Sequence, residues 1–323
     1  MILILSTPTD LYTQNVIEWL AHYKSEFFRL NDEDLISGRV EFHYDLNIEH
    51  ESFFQIDTKK ILISDISIVW FRKFGFLKSF ESKLGKNSDI VKYLYSEFKV
   101  LRDILFRLLD HKKWLYKKNN MLNKLEILKE AKYNGLNVPE TRILTRKKEL
   151  SRFIDQYGSI LTKSLGEGKH VVINKLNYPF FTKKIEDVNG VTDFFGPTLF
   201  QKYIDKEIEL RIFYLEGEFF TMAIFSQNNP KTIIDFRSYD YENPTRYVPF
   251  LLPKSIENKL HNLMTDVGLN TGSIDMIRCK KGEYHFLEVN PAGQFGMTSV
   301  PCNYSLHKKI AEHLIKHSNN YAD

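Results

Sequence analysis

Apolar positions along the chain change their period several times, and the changes predict an α/β protein whose later part is built from α+β lobes. MILIL at 1–5 predicts a buried strand, 11–22 a helix, and 26–30 and 67–71 two further strands. Between 88 and 117, Ile90, Leu94, Leu101, Ile104, Leu105 and Leu108 recur at three- and four-residue spacing, which predicts one long amphipathic helix. Its other face carries Lys92, Lys99, Arg102, Arg107, Lys112 and Lys113. That face reads as solvated, with an acidic peptide or a partner subunit as the sharper alternative. Helices follow at 123–134 and 147–157, then strands at 160–165 and 171–174 around Gly166-Glu167-Gly168. Such a strand–glycine loop–strand can bring backbone N–H groups close to phosphates. Strands are predicted at 199–204, 210–215 and 219–226, the last two joined by a turn at Glu216-Gly217-Glu218. The stretch 228–247 is polar and aperiodic, a loop region near a site. A helix at 255–267, strands at 273–279 and 283–289, a glycine-bearing loop at 293–296 and a terminal helix on Leu306, Ile310 and Leu314 complete the chain. The pattern divides it into an N-terminal α/β domain (1–118), a central lobe (119–200) and a C-terminal lobe (201–323).

The last strand pair holds the most chemistry. If Lys281-Gly282 is a two-residue turn, positions summing to 563 face each other, so Asp275 lies across from Glu288. A three-residue turn with a bulge is the alternative and shifts the register by one. Carboxylates in cross-strand register repel unless something positive sits between them. Asn290, two residues on, shares the face of Glu288 and adds a neutral oxygen. Three such donors among apolar neighbours suit Mg²⁺, which takes few protein ligands and completes its shell with water and phosphate. The plainer alternative is a pair of solvated edge-strand acids.

Composition narrows the class further. With 43% hydrophobic residues, 25 Phe and 17 Tyr in 323 residues, the chain is globular and long enough for two or three domains. A net charge of +4 does not argue for nucleic acid, and the basic helix lacks an accompanying stacking-aromatic motif. Cys279 and Cys302, the only cysteines, have no metal-binding spacing and fit a reducing cytoplasm. MILIL is too short for a signal h-region and no stretch approaches a membrane span, so no membrane association is expected. His170, His261 and His285 are scattered and read as structural; no Ser-His-Asp or Cys-His arrangement stands out.

The order of parts resembles the ATP-grasp superfamily over nearly the whole chain: a lysine at a helix start, a lysine-bearing strand before a glycine loop, a hinge strand, acid-x-Arg, and Asp…Glu-x-Asn. Within it, the chain is similar to the peptide maturases that make graspetides (microviridin-type ligases), in the grasp-with-spasm branch. That likeness rests on Val69-Trp70-Phe71-Arg72-Lys73, Ala223-Ile224-Phe225-Ser226-Gln227, Asp235-Phe236-Arg237, the run from Leu269 to Asp275, FLEVNPAGQF ending at Phe295, and Pro301-Cys302-Asn303-Tyr304. The resemblance implies an ATP-grasp fold with an N-terminal preATP-grasp domain, holding ATP between two α+β lobes. It implies phosphate binding by Lys124 and Lys163, an adenine-reading hinge at Gln201, Lys202, Tyr203 and Ile204, and Asp205 near the ribose. Arg211 would face the transferring phosphoryl group, and Asp275, Glu288 and Asn290 would hold Mg²⁺. Small-molecule ligases resembling glutathione synthetase carry an arginine where Ser226 stands here; Arg237 or Arg246 is the expected substitute. The implied partner is a ribosomally made precursor peptide, leader plus core, acted on by a homodimer. The alternatives are a small-molecule carboxylate–amine ligase and an ATP-binding module without turnover.

Overall fold

The structure, a computed structural model, describes residues 1–75, 89–117, 123–166, 171–173, 176–178, 182–236 and 240–319. The chain forms two compact units: Met1–Lys118 with Gln294–Asp323, and Asn119–Gly293. The stretch from Gln294 onward thus belongs with the N-terminal unit, and the sheets expected for 119–200 and for 201–293 lie in one unit.

In the first unit β1 (Ile2–Ser6), β2 (Phe27–Asn31), β3 (Glu41–His43), β4 (Phe53–Ile56), β5 (Lys59–Leu62), β6 (Ile68–Phe71) and β7 (Lys113–Leu115) make two sheets. One is parallel, ordered β2-β1-β6-β7, and the other is a three-stranded antiparallel meander, β3-β4-β5. β1 and β6 are buried along their length, as parallel strands covered on both faces must be. The meander escapes sequence reading because its strands are short and Lys59-Lys60 look like surface.

The long helix is shorter than predicted, and of its expected apolar stripe Leu101, Leu105 and Leu108 pack on the core while Ile90 does not. It spans Asp89–Leu108 and buries Val91, Phe98 and Leu105, while Ile90 is 62% exposed. Beyond it the chain doubles back: the Trp114 indole donates to the Leu109 carbonyl at 2.9 Å, and Lys113 joins β7. Much of the expected basic face is engaged locally, Lys92 with Asp89, Arg102 with Asp103, and Arg107 with Glu49 and Tyr44. Helix Leu306–Asn319 buries Leu306, Ile310 and Leu314 as its spacing predicts.

In the second unit β8 (Thr141–Arg146), β9 (Ile160–Lys163), β10 (Val171–Ile173), β11 (Leu176–Tyr178), β12 (Lys183–Ile185) and β13 (Phe194–Lys202) come first. Four of them form an antiparallel sheet, β12-β9-β13-β8, and β10 pairs with β11. Helix Lys147–Tyr157 inserts Leu150 and Phe153 beside Ile160 and Phe200, closing that sheet's core. Then β14 (Lys206–Leu215), β15 (Glu218–Phe225), β16 (Arg246–Phe250), β17 (Thr271–Cys279) and β18 (Tyr284–Asn290) build a five-stranded antiparallel sheet, ordered β16-β15-β14-β17-β18. Helix Lys124–Tyr133 packs on β18 and on helix Lys254–Asp266. β14 and β17 are central, so their few polar side chains are held between neighbours. No helix among the described residues is long and apolar enough to cross a membrane.

Candidate active site

The β17–β18 hairpin does not close as the two-residue reading predicts. The Cys279 amide donates to the Glu283 carbonyl and the Gly282 amide to the Cys279 carbonyl, each at 2.9 Å, with Gly282 at φ +82°. This is a three-residue turn with its last residue in the left-handed region that glycine adopts freely. Near the turn the register is therefore shifted by one: Arg278 faces Tyr284, Ile277 faces His285, and Met276 faces Phe286. A bulge at Leu287 then absorbs one residue, and beyond it Asp275 faces Glu288, Ile274 faces Val289 and Ser273 faces Asn290. The turn and the bulge cancel, so the carboxylate pairing read from the sequence is the pairing found, by a different route. Bulges commonly re-aim side chains at working sites.

The positive charge that offsets these acids comes from two distant segments, one cation for each carboxylate. Arg211 on β14 is in register with Asp275, and its Nη1 donates to both carboxylate oxygens at 2.6 Å. Lys124 Nζ lies 2.5 Å from Glu288 Oε2. It opens helix Lys124–Tyr133, whose first turn is capped by the Asn123 side chain accepting from the Leu125 and Glu126 amides at 3.0 and 3.1 Å. Lys124, Glu288, Asp275 and Arg211 thus form a row across β18, β17 and β14 in which two facing carboxylates are flanked by a cation at each end. Arg211 Nε is buried without an acceptor, and so is the Ser273 hydroxyl beside Asn290. Buried orphan donors are rare, and these two suit anionic or oxygen-rich ligands. Two carboxylates and an amide oxygen on one face also fit Mg²⁺ by donor chemistry. Gly272 and Gly293 leave space there: a Cβ on Gly293 would stand 2.6 Å from the Ser273 Cβ and Oγ and 2.9 Å from the Asn290 carbonyl.

The other candidates lie on the neighbouring sheet or the link to it. Lys163 ends β9, opposite Leu199 of β13. Gln201 is buried in β13, donates to Thr141 Oγ1 at 3.0 Å, and leaves its own Oε1 without a partner. The amides of Lys202 and Tyr203 bind the Glu140 and Ser159 carbonyls. Burial pushes the Tyr203 phenol up from its ordinary value. Ile204 and Asp205 complete the link into β14, with Asp205 paired to Lys280 at 2.9 Å. Arg237 lies outside the described residues; Arg246 begins β16 and sits over the Phe225 ring.

Sequence reasoning missed a buried polar knot beside this row. Lys206 Nζ donates to Glu209 Oε1 at 2.8 Å and to the Ile234 carbonyl at 3.0 Å, and Ser226 Oγ donates to the same carboxylate at 2.6 Å. Burial pushes the Glu209 carboxyl up, against the opposing pull of Lys206 and Ser226. A register irregularity between Lys206 and Ile208 accompanies their approach. The knot ties the polar segment after β15 to the central strand. Only an unusually charged start to an apolar strand, Lys206-Glu207-Ile208-Glu209, hinted at it.

A unit with a parallel sheet and a unit of two larger antiparallel sheets make up an ATP-grasp fold, as the solved structures similar to it show. No protein-family model matches the chain, and no curated protein matches it significantly. Among solved structures, the macrocyclase MdnC of Microcystis aeruginosa MRC, bound to its precursor peptide MdnA, is 26% identical with a TM-score of 0.81, covering 98% of this chain and 99% of its own. The RiPP-associated ATP-grasp ligase of Chryseobacterium gregarium, solved with ADP and a leader and core peptide, is 24% identical with a TM-score of 0.80, covering 100% and 97%. The ATP-grasp ligase PsnB, solved with a phosphomimetic minimal precursor, Mg and ADP, is 16% identical with a TM-score of 0.79, covering 98% of each chain.

Proposed function

We propose that the protein is an ATP-dependent carboxylate ligase that closes macrocycles in a ribosomally made precursor peptide. It would join Asp or Glu side chains to Ser or Thr hydroxyls as esters, or to Lys amines as amides. The observation that carries this is the row Lys124–Glu288–Asp275–Arg211, in a fold shared over its whole length with ligases solved with precursor peptides.

A carboxylate resists attack because its charge is delocalised and its leaving group would be oxide. Transfer of the γ-phosphoryl group to it gives an acyl phosphate and ADP. Attack by the hydroxyl or amine then expels phosphate, the nucleophile losing its proton, so each ring removes one water from the peptide. Such transfer needs positioning and charge neutralisation more than a protein nucleophile. Arg211 is held by Asp275 with its Nε–H unpaired, and would bind the charge that develops on the phosphoryl group. Lys124 would exchange Glu288 for phosphate oxygens, and Lys163 would supply a second positive charge to them. Gln201–Ile204 line the adenine edge, Asp205 the ribose, and Arg237 the peptide carboxylate. Asp275, Glu288 and Asn290 would hold Mg²⁺, which when bound neutralises phosphate charge.

Ser226 disfavours the small-molecule alternative. It is fully buried and spent on Glu209, so the arginine those ligases carry there has no room. The cytoplasm, where ATP and newly made peptide meet, and a homodimer belong to the same proposal; light scattering tests the latter.

Incubation with a precursor peptide, ATP and Mg²⁺ is expected to lower the peptide mass by one water per ring. An unchanged mass, with ADP release stimulated instead by free amino acids, defeats the reading. Lys163→Ala is expected to weaken ATP binding about tenfold or more by calorimetry, the scale of one charge-assisted contact; unchanged affinity would remove Lys163 from the phosphate site.

A further inference from the structure

A second cluster of ligand atoms lies at the tip of the hairpin whose far end carries Asp275 and Glu288. Cys279 pairs with Glu283 across the turn, and His285 faces Ile277 one step further along. With period two, Cys279, Glu283 and His285 therefore share the face of Asp275, about 13 Å along β17 from it. Cys279 Sγ lies 3.8 Å and His285 Nε2 3.7 Å from the same oxygen, Glu283 Oε2. The three ligand atoms all fall within 4.8 Å of one another. Ligands of a tetrahedral zinc ion stand roughly 3.4–3.6 Å apart, given its bond lengths to S, N and O. Two of the three separations already match to a few tenths of an ångström, and the third, between Cys279 Sγ and the imidazole, is within 4.8 Å and closes by side-chain rotation of Cys279 or His285.

From this geometry we propose that Cys279, Glu283 and His285 bind one thiophilic divalent cation of the zinc class, with a fourth position open to water. Thiolate and imidazole select Zn²⁺ over Mg²⁺, whose preference is for oxygen donors. His285 is placed for the role: its ring is largely buried and its Nε2 is the nitrogen turned to Glu283. Its backbone is fixed from outside by the Phe286 amide donating to the Asn137 carbonyl at 2.8 Å. On binding, the Cys279 proton leaves to solvent and the metal takes its place. The ion would cross-link the two strands at the turn, independently of any ligase activity.

The full chain, stripped of metal by a chelator and then saturated with Mg²⁺ and ADP to fill the oxygen-rich site, is titrated with Co²⁺ as a coloured stand-in for Zn²⁺. A thiolate-to-cobalt charge-transfer band in the near ultraviolet is expected, saturating at one equivalent and lost on adding Zn²⁺. Cys279→Ser abolishes the band, and Cys302→Ala leaves it intact, since burial pushes the Cys302 thiol up to about 11. Glu283→Gln alters only an exposed side chain, so it removes a ligand without touching the core, and weakens binding about tenfold or more. Absence of the band, its survival in Cys279→Ser, its loss in Cys302→Ala, or unchanged affinity in Glu283→Gln each overturns the site.

Discussion

Glu288→Gln, or Asp275→Asn, is expected to lower turnover by about 10²–10³-fold or more while the protein stays folded. Each change keeps side-chain shape and removes one negative charge from the row. Glu288→Gln leaves Lys124 facing a neutral amide, and Asp275→Asn replaces one of the two acceptors of Arg211 by a donor. The Lys124–Glu288 pair is partly solvated, with Glu288 36% exposed, so screening limits the stability cost of Glu288→Gln to about 1 kcal/mol, a shift of only a few degrees in Tm for a chain of this size. Arg211–Asp275 is more enclosed, 12% and 21% exposed, so Asp275→Asn lowers Tm further. Removing a preorganised charge where a phosphoryl group is transferred costs about 2.7–4 kcal/mol of transition-state stabilisation. The measurement is ADP release beside a thermal melt. Wild-type turnover in either variant would remove the acids from the chemistry; lost turnover with a collapsed melt would make them structural.

Gly293→Ala is expected to cut turnover at least tenfold by a purely steric route. The new methyl would meet the Ser273 side chain at 2.6 Å and the Asn290 carbonyl at 2.9 Å, both below any normal contact. Ser273 lies on central β17, where the sheet resists displacement, so the strain falls on Asn290 and the end of β18. The double variant Ser273→Gly with Gly293→Ala removes the closer clash and should recover part of the loss. Non-additivity of that kind is the signature of direct contact. Full activity in Gly293→Ala, or strictly additive losses in the pair, would show that this close approach does not shape the site.

The two apolar alternating strands that carry Asp275 and Glu288 were legible from their period of two, whereas their pairing was read through a two-residue turn that the structure does not form. What was not legible is how that register arises. A three-residue turn at Gly282 and a bulge at Leu287 each shift it by one, in opposite senses. Neither leaves a firm mark on composition, since a bulge is chosen by the balance of packing on both faces. The long helix shows the same limit. Its 3.6-residue period was plain and Leu105 is buried as expected, but Val91 and Phe98 face the core instead of Ile90, because both flanks of the helix are apolar and only the neighbouring sheet decides between them. The meander β3-β4-β5 was invisible for want of length, and β7 because it continues directly from helical sequence.

By itself the sequence determined the elements with long, clean periodicity, the donor types at 275, 288 and 290, and the lysine and arginine available to neutralise them. These depend on local spacing and on intrinsic side-chain chemistry, which a chain carries whatever it folds into. Tertiary structure alone decided that Lys124, far away along the chain, reaches Glu288, that Arg211 takes Asp275 rather than nearby Glu209, and that Cys279, Glu283 and His285 converge at one turn. The first two are non-local pairings, set by which strands become neighbours in the sheet and encoded in no residue's immediate surroundings; the third is local in the chain but rests on the three-residue turn that the structure adopts.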